Sequence, residues 1–360
     1  MTPFVQPLTY RAETDARRWN DVLATLPGRH LLQSWEWGEI KRQTGWWAHR
    51  LLFERQGVVV AAAQVLTRRL GRLPLAVQYA PKGPALDYSD PALTVAVLAA
   101  LEDYARRSRA ILLKMDPDVP DDTPAGRAVR DLLRHRGWQA SAEQVQFKNT
   151  ALLDLASGED AVLTGFKQKW RYNVRLAGRK GVTVRAGSEA DLELFYRLYA
   201  ETGRRDGFLI RPLSYYRGAW QTLLQGQGQV GGRLLLAAVG EETVAGLLIA
   251  RFAATAWYLY GASGSHQREA MPNHLLQWEA MRWAIAQGCT TYDLWGAPTA
   301  LVESDPLWGV WRFKEGFGAR LASHIGAFDF APSGLAYYLY TVAMPRVLSL
   351  MRRRHRGIVS

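Results

Sequence analysis

One layout of elements occurs twice along this chain, and that repetition limits the folds open to it more than any other feature. In the first half, Leu51-Leu52-Phe53 and Val58 to Ala63 flank a turn at Gln56-Gly57 and read as a β-hairpin. A third strand follows at Leu75 to Tyr79, then a helix from Pro91 to Arg107 and a strand from Ile111 to Met115 ending at Asp116. A short helix, Ala125 to Arg136, is closed by Gly137, and Val145 to Leu155 reads as this unit's last strand. The second half repeats the order. Leu234 to Val239 and Val244 to Ile249 form the hairpin, Ala256 to Tyr260 the third strand, and Pro272 to Gln287 the helix. Thr290 to Trp295, a short helix near Gly316, and Ser323 to Phe330 complete it. Asp116 lies 37 residues after Tyr79, and Asp293 lies 33 after Tyr260. Each unit opens on an amphipathic helix, Ala16 to Leu26 and Asp191 to Arg204.

An α/β (α+β) architecture of two sister units follows, which by analogy is a tandem of GNAT-like (acyl-CoA N-acyltransferase-like) domains. The expected boundaries are 1–146, 147–325 and a closing segment 326–360 that returns to the first domain. A chain of 360 residues suits two cores. The longest apolar stretches, such as Leu93 to Leu101, are too short to span a bilayer, and the first residues lack an apolar signal core. The single Cys289 excludes an intrachain disulfide and fits a reducing compartment, so the cytoplasm is expected.

A net charge of +12 and a pI near 9.9 point to a polyanion or an anionic lipid surface. Arginine far outnumbers lysine, which GC-rich coding also produces, so charge alone leaves RNA binding open. The segment Phe166 to Lys180 is sharper. Six cations fall in its last fourteen residues, interleaved with aromatics, and Lys167, Arg171 and Arg175 share a helical stripe beside Lys169. Such a stripe suits a nucleic-acid backbone. The alternative is a solvated helix face. The tail from Ala336 to Arg356 reads as a closing helix, and its basic end, Arg352 to Arg356, is either solvated or turned to lipid or RNA.

Ser34 caps a helix on which Trp37 and Lys41 share a face. This is either an aromatic-anchored helix with an exposed lysine or a lysine held to meet a phosphate. Arg211 sits at the junction between Gly207 and Pro212 with Tyr215 one turn on, a placement from which a guanidinium can fork onto a diphosphate. Lys314 is the only lysine after Lys180 in an arginine-rich chain.

These stretches together resemble the FemABX family of peptidoglycan-bridge aminoacyl transferases, in its compact form without the helical arm. The resemblance rests on Trp37-Gly38, Lys41 and Gly45-Trp46; on the basic helix ending in Gly181-Val182; and on Tyr196, Glu201-Thr202, Arg205-Asp206, Phe208 and Arg211. Tyr260-Gly261-Ala262-Ser263 with Pro272-Asn273, Tyr292 to Gly296, and Phe313 to Gly318 complete it, from Leu31 to Phe330. It implies that Lys41, Arg211, Tyr215 and Tyr260 hold a precursor's diphosphate, that Asp116 lies near the acceptor peptide, and that Lys314 meets the charged tRNA end. The implied partners are an aminoacyl-tRNA and lipid II or UDP-MurNAc-pentapeptide, with peripheral contact at the inner membrane face and neither metal nor cofactor. An amine attacking an activated ester needs no nucleophilic side chain, which fits the lack of a Ser-His-Asp or Cys-His signature. An acyl-CoA donor is disfavoured, because Gln267-Arg268-Glu269-Ala270-Met271 lacks the glycines of a pyrophosphate loop. A non-catalytic RNA-binding protein and a tRNA-dependent transferase acting on lipid or protein are the other rivals.

Overall fold

A computed structural model describes residues 8–71 and 73–344. In chain order the first half carries β1 (Thr9–Ala12), α1 (Ala16–Thr25), α2 (Trp35–Arg42), β2 (Trp47–Arg55), β3 (Val58–Arg69), β4 (Ala76–Ala80) and β5 (Ala85–Leu86). It continues with α3 (Pro91–Arg107), β6 (Ala110–Met115), α4 (Pro124–His135) and β7 (Gln139–Ala140). Then come β8 (Asn149–Asp154), α5 (Glu159–Gly165), α6 (Gln168–Arg179), β9 (Val182–Ala186), α7 (Leu192–Asp206) and α8 (Leu213–Leu224). The chain closes with β10 (Val230–Val239), β11 (Glu242–Phe252), β12 (Thr255–Ser263), α9 (Pro272–Ala286), β13 (Thr291–Gly296), α10 (Trp308–Glu315), β14 (Arg320–Ser323), β15 (Phe328–Phe330) and α11 (Gly334–Tyr338).

Local chemistry accounts for most of these limits. Gln56 and Gly57 both take positive φ (54° and 75°), the conformation a two-residue hairpin turn needs. Asp90 caps α3 by accepting from the Leu93 amide, with Pro91 in the first turn. Ser34 accepts from the Trp37 amide and starts α2 where its spacing predicts. The hairpin strands run longer than their apolar cores, because β2 and β3 pair from Trp47–Thr67 to Arg55–Val58, polar ends included.

The two sheets have one strand order. The first runs β1-β2-β3-β4-β6-β15-β7, with β5 alongside β3, and the second runs β9-β10-β11-β12-β13-β8-β14. In each, one parallel pair lies amid antiparallel neighbours: β4 beside β6, and β12 beside β13. The β12–β13 pairing ends at Trp257–Asp293, after which the strands diverge. This is the tandem GNAT-like architecture that the repeat implies.

Two strand expectations are corrected. The strand from Val145 to Leu155 was expected to close the first unit, but β8 spans only Asn149–Asp154 and lies in the second sheet, between β13 and β14. Residues 323–330 do not form one strand either. Ser323 ends β14 in the second sheet, and β15 crosses to the first, pairing Phe328 with Met115 and with Ala140. The halves have exchanged their sixth strands, and hydrophobic patterning does not carry partner identity. The terminal helix is described only to residue 344, so the basic cluster Arg352 to Arg356 lies outside the described residues.

Three buried clusters support this frame. One fills the first half around Phe53, Leu113, Trp138 and Phe328, and another fills the second around Phe166, Tyr292 and Phe317. The third packs Trp19, Leu31 and Trp37 of the first half against Phe195, Trp220 and Trp257 of the second, so the interface between the halves is itself core.

Candidate active site

The four residues expected at the diphosphate come together although the chain separates them widely. Lys41 ends α2, and its Nζ donates to the Tyr215 hydroxyl at 3.3 Å while standing 4.4 Å from the Trp37 ring centre. Arg211 approaches from the second half, with its guanidinium carbon 4.8 Å from the centre of the same Tyr215 ring. Tyr196 and Tyr216 hold the backbone carbonyl and amide of Arg211 at 3.1 and 3.3 Å, which fixes the junction and leaves the side chain exposed. Tyr260, on β12, packs edge-on against Tyr199 and Tyr216 behind this pair. Burial, with Arg211 adding to it, pushes the Lys41 pKa down to about 8. Among the described residues no carboxylate pairs with either cation, and two cations held together in this way make a place that an anion relieves.

A second group lies where the halves meet. Asp116 follows β6 and is 4% exposed; its oxygens accept from the Tyr79 hydroxyl and the Lys82 amide, each at 2.7 Å. Burial lifts its pKa to about 6. Lys82 Nζ donates to Asp118 at 2.7 Å and to the Phe147 carbonyl at 3.2 Å. Burial pushes the Asp118 pKa up, but the Lys82 ammonium, His324 and His30 outweigh it and hold the carboxyl well below its ordinary range. Asp293 occupies the equivalent place in the second half. Burial raises its pKa to about 6, while Thr150 of the exchanged β8 donates to it. His30, Lys82, Asp118, Asp293, Trp295 and Gly296 share one small pocket.

Lys314 lies behind that pocket wall. It is 4% exposed, and its Nζ donates to the carbonyls of Trp295 at 3.1 Å and Gly296 at 2.6 Å. Burial lowers its pKa to about 8, with Asp293 acting against that shift. An ammonium carries three hydrogens, so one remains uncommitted. Trp295 takes φ +67° and Lys82 φ +51°, conformations that bulky residues rarely adopt and that here aim a carbonyl at Lys314 and an amide at Asp116.

Of the expected basic stripe at α6, two cations are engaged within the fold, one on the helix and one just before it. Arg171 donates to the Thr164 carbonyl at 2.6 Å and to Phe166, closing α5, and Lys167 pairs with Glu315 at 2.7 Å. Lys169 and Arg175 are exposed. The helix starts beside Lys314: the Lys167 amide bonds the Gly316 carbonyl at 2.9 Å, and Trp170 Nε1 donates to the Phe313 carbonyl. A Cβ at Gly316 would sit 2.0 Å from the Trp170 ring. Gly316→Ala should therefore lower stability by about 1–3 kcal/mol in denaturant titration, and an unchanged midpoint would show that this packing is slack.

Sequence reasoning missed Lys82, Asp118 and His30. Lys82 stands in Pro81-Lys82-Gly83-Pro84, a loop that reads as a connector, and its role appears only when β4 and β6 lie side by side. Its rarity among lysines was the available signal, the one already noticed at Lys314.

Comparison with known proteins agrees with this fold. A model of the FemAB family matches residues 19–225 and 235–344. The lipid II:glycine glycyltransferase of Staphylococcus aureus (strain MSSA476) is 28% identical over an alignment covering 89% of this chain and 92% of that protein. The crystal structure of FemX superposes with a TM-score of 0.83 at 25% identity, covering 92% of this chain and 99% of that one. A tandem GNAT protein from the clavulanic acid biosynthesis pathway shares the fold at a TM-score of 0.52 and 12% identity. With most of its length matched by the family model and its strand order that of two joined GNAT-like sheets, the chain belongs to the FemAB family.

Proposed function

We propose that this protein is an aminoacyltransferase that moves an amino acid from a charged tRNA onto the stem-peptide side-chain amine of a peptidoglycan precursor. The observation that carries this reading is the convergence of Lys41 and Arg211, from different halves of the chain, on the one ring of Tyr215. An exposed guanidinium beside an ammonium suits a diphosphate, the group common to lipid II and UDP-MurNAc-pentapeptide. The glycyltransferase relatives act, by name, on lipid II, which favours the lipid-linked acceptor. Among the described residues no helix is long and apolar enough to cross a membrane, so work at the cytoplasmic face would be peripheral.

In this mechanism the acceptor amine attacks the ester carbonyl, the new C–N bond forms, and the C–O bond to the tRNA ribose breaks. Lys314 faces the oxyanion and, with its pKa near 8, can also give a proton to the departing ribose oxygen. Asp116 orients the acceptor. At a pKa near 6 it is a better match to an ammonium than an ordinary carboxylate, though still several units short, so the precursor's own groups share the proton's path. Lys169 and Arg175 meet the tRNA backbone beside Lys314.

The deciding experiment measures amino-acid transfer from charged tRNA to lipid II and to UDP-MurNAc-pentapeptide, with and without RNase. Transfer that survives RNase would exclude a tRNA donor, and no transfer to either acceptor would exclude this reaction. Arg211→Ala should weaken precursor binding by roughly ten- to a hundredfold, and an unchanged dissociation constant would remove Arg211 from the site.

Affinity for the precursor should also fall as pH rises through about 8, where Lys41 loses its charge, and that step should vanish in Lys41→Arg. Calorimetric titration from neutral pH upward reads this directly. Stability runs the other way: with the folded pKa near 8 and the ordinary value at 10.5, the unfolded chain holds more protons between them, so this lysine's contribution to stability rises over that interval.

A further inference from the structure

We propose that the surface around the Lys41–Arg211 clamp rests on an anionic lipid bilayer, with Trp47 and the Phe208-Leu209 tip entering the headgroup layer. The inference builds on the diphosphate reading of the clamp. Each clamp cation has exposed apolar groups close by in the chain. Leu209 is 100% exposed and Phe208 39%, two and three residues before Arg211. The Trp46 amide bonds the Lys41 carbonyl at 3.3 Å, and the next residue, Trp47, is 58% exposed. Single exposed apolar groups are ordinary, but large ones gathered beside an ion clamp mark an interaction surface.

The charges around Trp47 say what covers it. The Arg42 guanidinium lies 5.2 Å from the Trp47 ring centre, and Arg68 lies 6.0 Å from that of Trp46. Arg68 and Arg69 end β3 exposed. An open hollow of about 740 Å³ beside Trp47 is lined by Arg69, by Arg109 and by Arg107, which pairs with Asp103 at 2.6 Å, and among the described residues no acid lines it. Indole rings with guanidinium groups at their faces are the side chains that settle at a headgroup boundary. Geometry makes the same demand. A lipid-linked diphosphate lies where its chain leaves the bilayer, so a clamp that grips it must come to headgroup depth, and its neighbours come with it.

The test uses the full chain and vesicles without precursor, of phosphatidylcholine alone or mixed with phosphatidylglycerol. The protein should partition onto the anionic vesicles and leave them in high salt. Trp47→Ser with Leu209→Ser should lower partitioning at least about tenfold, and Arg68→Ala with Arg69→Ala roughly thirtyfold on anionic vesicles only. Val58→Ser, at an exposed hairpin end, should change nothing. Equal partitioning of wild type and both double variants would overturn the proposal. In a second assay both variants should keep their transfer rate on lipid II dissolved in detergent and lose rate on lipid II held in vesicles, whereas equal losses in the two would overturn the membrane role. If no transfer occurs at all while partitioning behaves as stated, the surface stands and the transferase reading falls.

Discussion

Lys314→Met should cut the rate of amino-acid transfer by roughly a hundred- to thousandfold while leaving precursor affinity unchanged. The expectation follows from where the ammonium is held. Lys314 spends two hydrogens on the carbonyls of Trp295 and Gly296 and is almost wholly enclosed, so its third hydrogen points from a fixed base with little water to compete. A donor fixed before the reaction begins stabilises developing charge without reorganising. Methionine fills a similar volume and removes a buried charge, so the fold should survive. Single-turnover transfer from charged tRNA, beside calorimetric binding of the precursor, separates the two effects. A variant that loses affinity and rate in equal measure would place Lys314 in the precursor groove rather than at the ester.

Lys82→Met should destabilise the protein by about 3 kcal/mol. Lys82 neutralises Asp118, and the neighbouring imidazoles cannot take over: burial lowers the His30 pKa to about 3 and lowers that of His324 as well. The low end of the range for breaking a buried pair applies because the Asp118 side chain keeps 27% of its surface open. In the wild type, Asp118 titrates below its ordinary 3.8 when folded, so its pairing adds stability above that pH, which is lost as pH falls through the lower folded value. In Lys82→Met the carboxyl should titrate higher than in the wild type, and the stability deficit relative to wild type should shrink on acidification. Adding Asp118→Asn to Lys82→Met should restore much of the loss, as expected for two residues coupled in one network. Denaturant titration at several pH values checks all three statements, and additive single effects would show that the pair is not coupled.

Much of the site was legible from local signals. Lys41 could be placed because Ser34 caps α2 and fixes which face Trp37 and Lys41 share. Arg211 could be placed because Gly207, at φ +76°, ends α7 and Pro212 precedes α8. What stayed hidden depended on contacts distant in sequence. Nothing near Arg171 shows that its guanidinium closes α5, and nothing near Lys167 announces Glu315, well over a hundred residues on. The carboxylate Asp118 was overlooked for the same reason, since its partners come from Lys82, His30 and His324. Strand exchange was invisible because β8 and β15 fit either sheet equally well by pattern, and only geometry chooses between them.

That exchange bears on how the enzyme can move. Phe328 of β15 pairs with Met115, the residue before Asp116, and Thr150 of β8 holds Asp293. Each half thus fastens the other's acid, like two clasped hands. The halves also share the buried packing of Trp19 and Trp37 against Phe195 and Trp257, so swinging them apart would open core to water, and substrates arrive by threading and loop adjustment rather than by the gaping of a jaw. Either half expressed by itself should lack a rib of its own sheet and should recover it only by meeting the other.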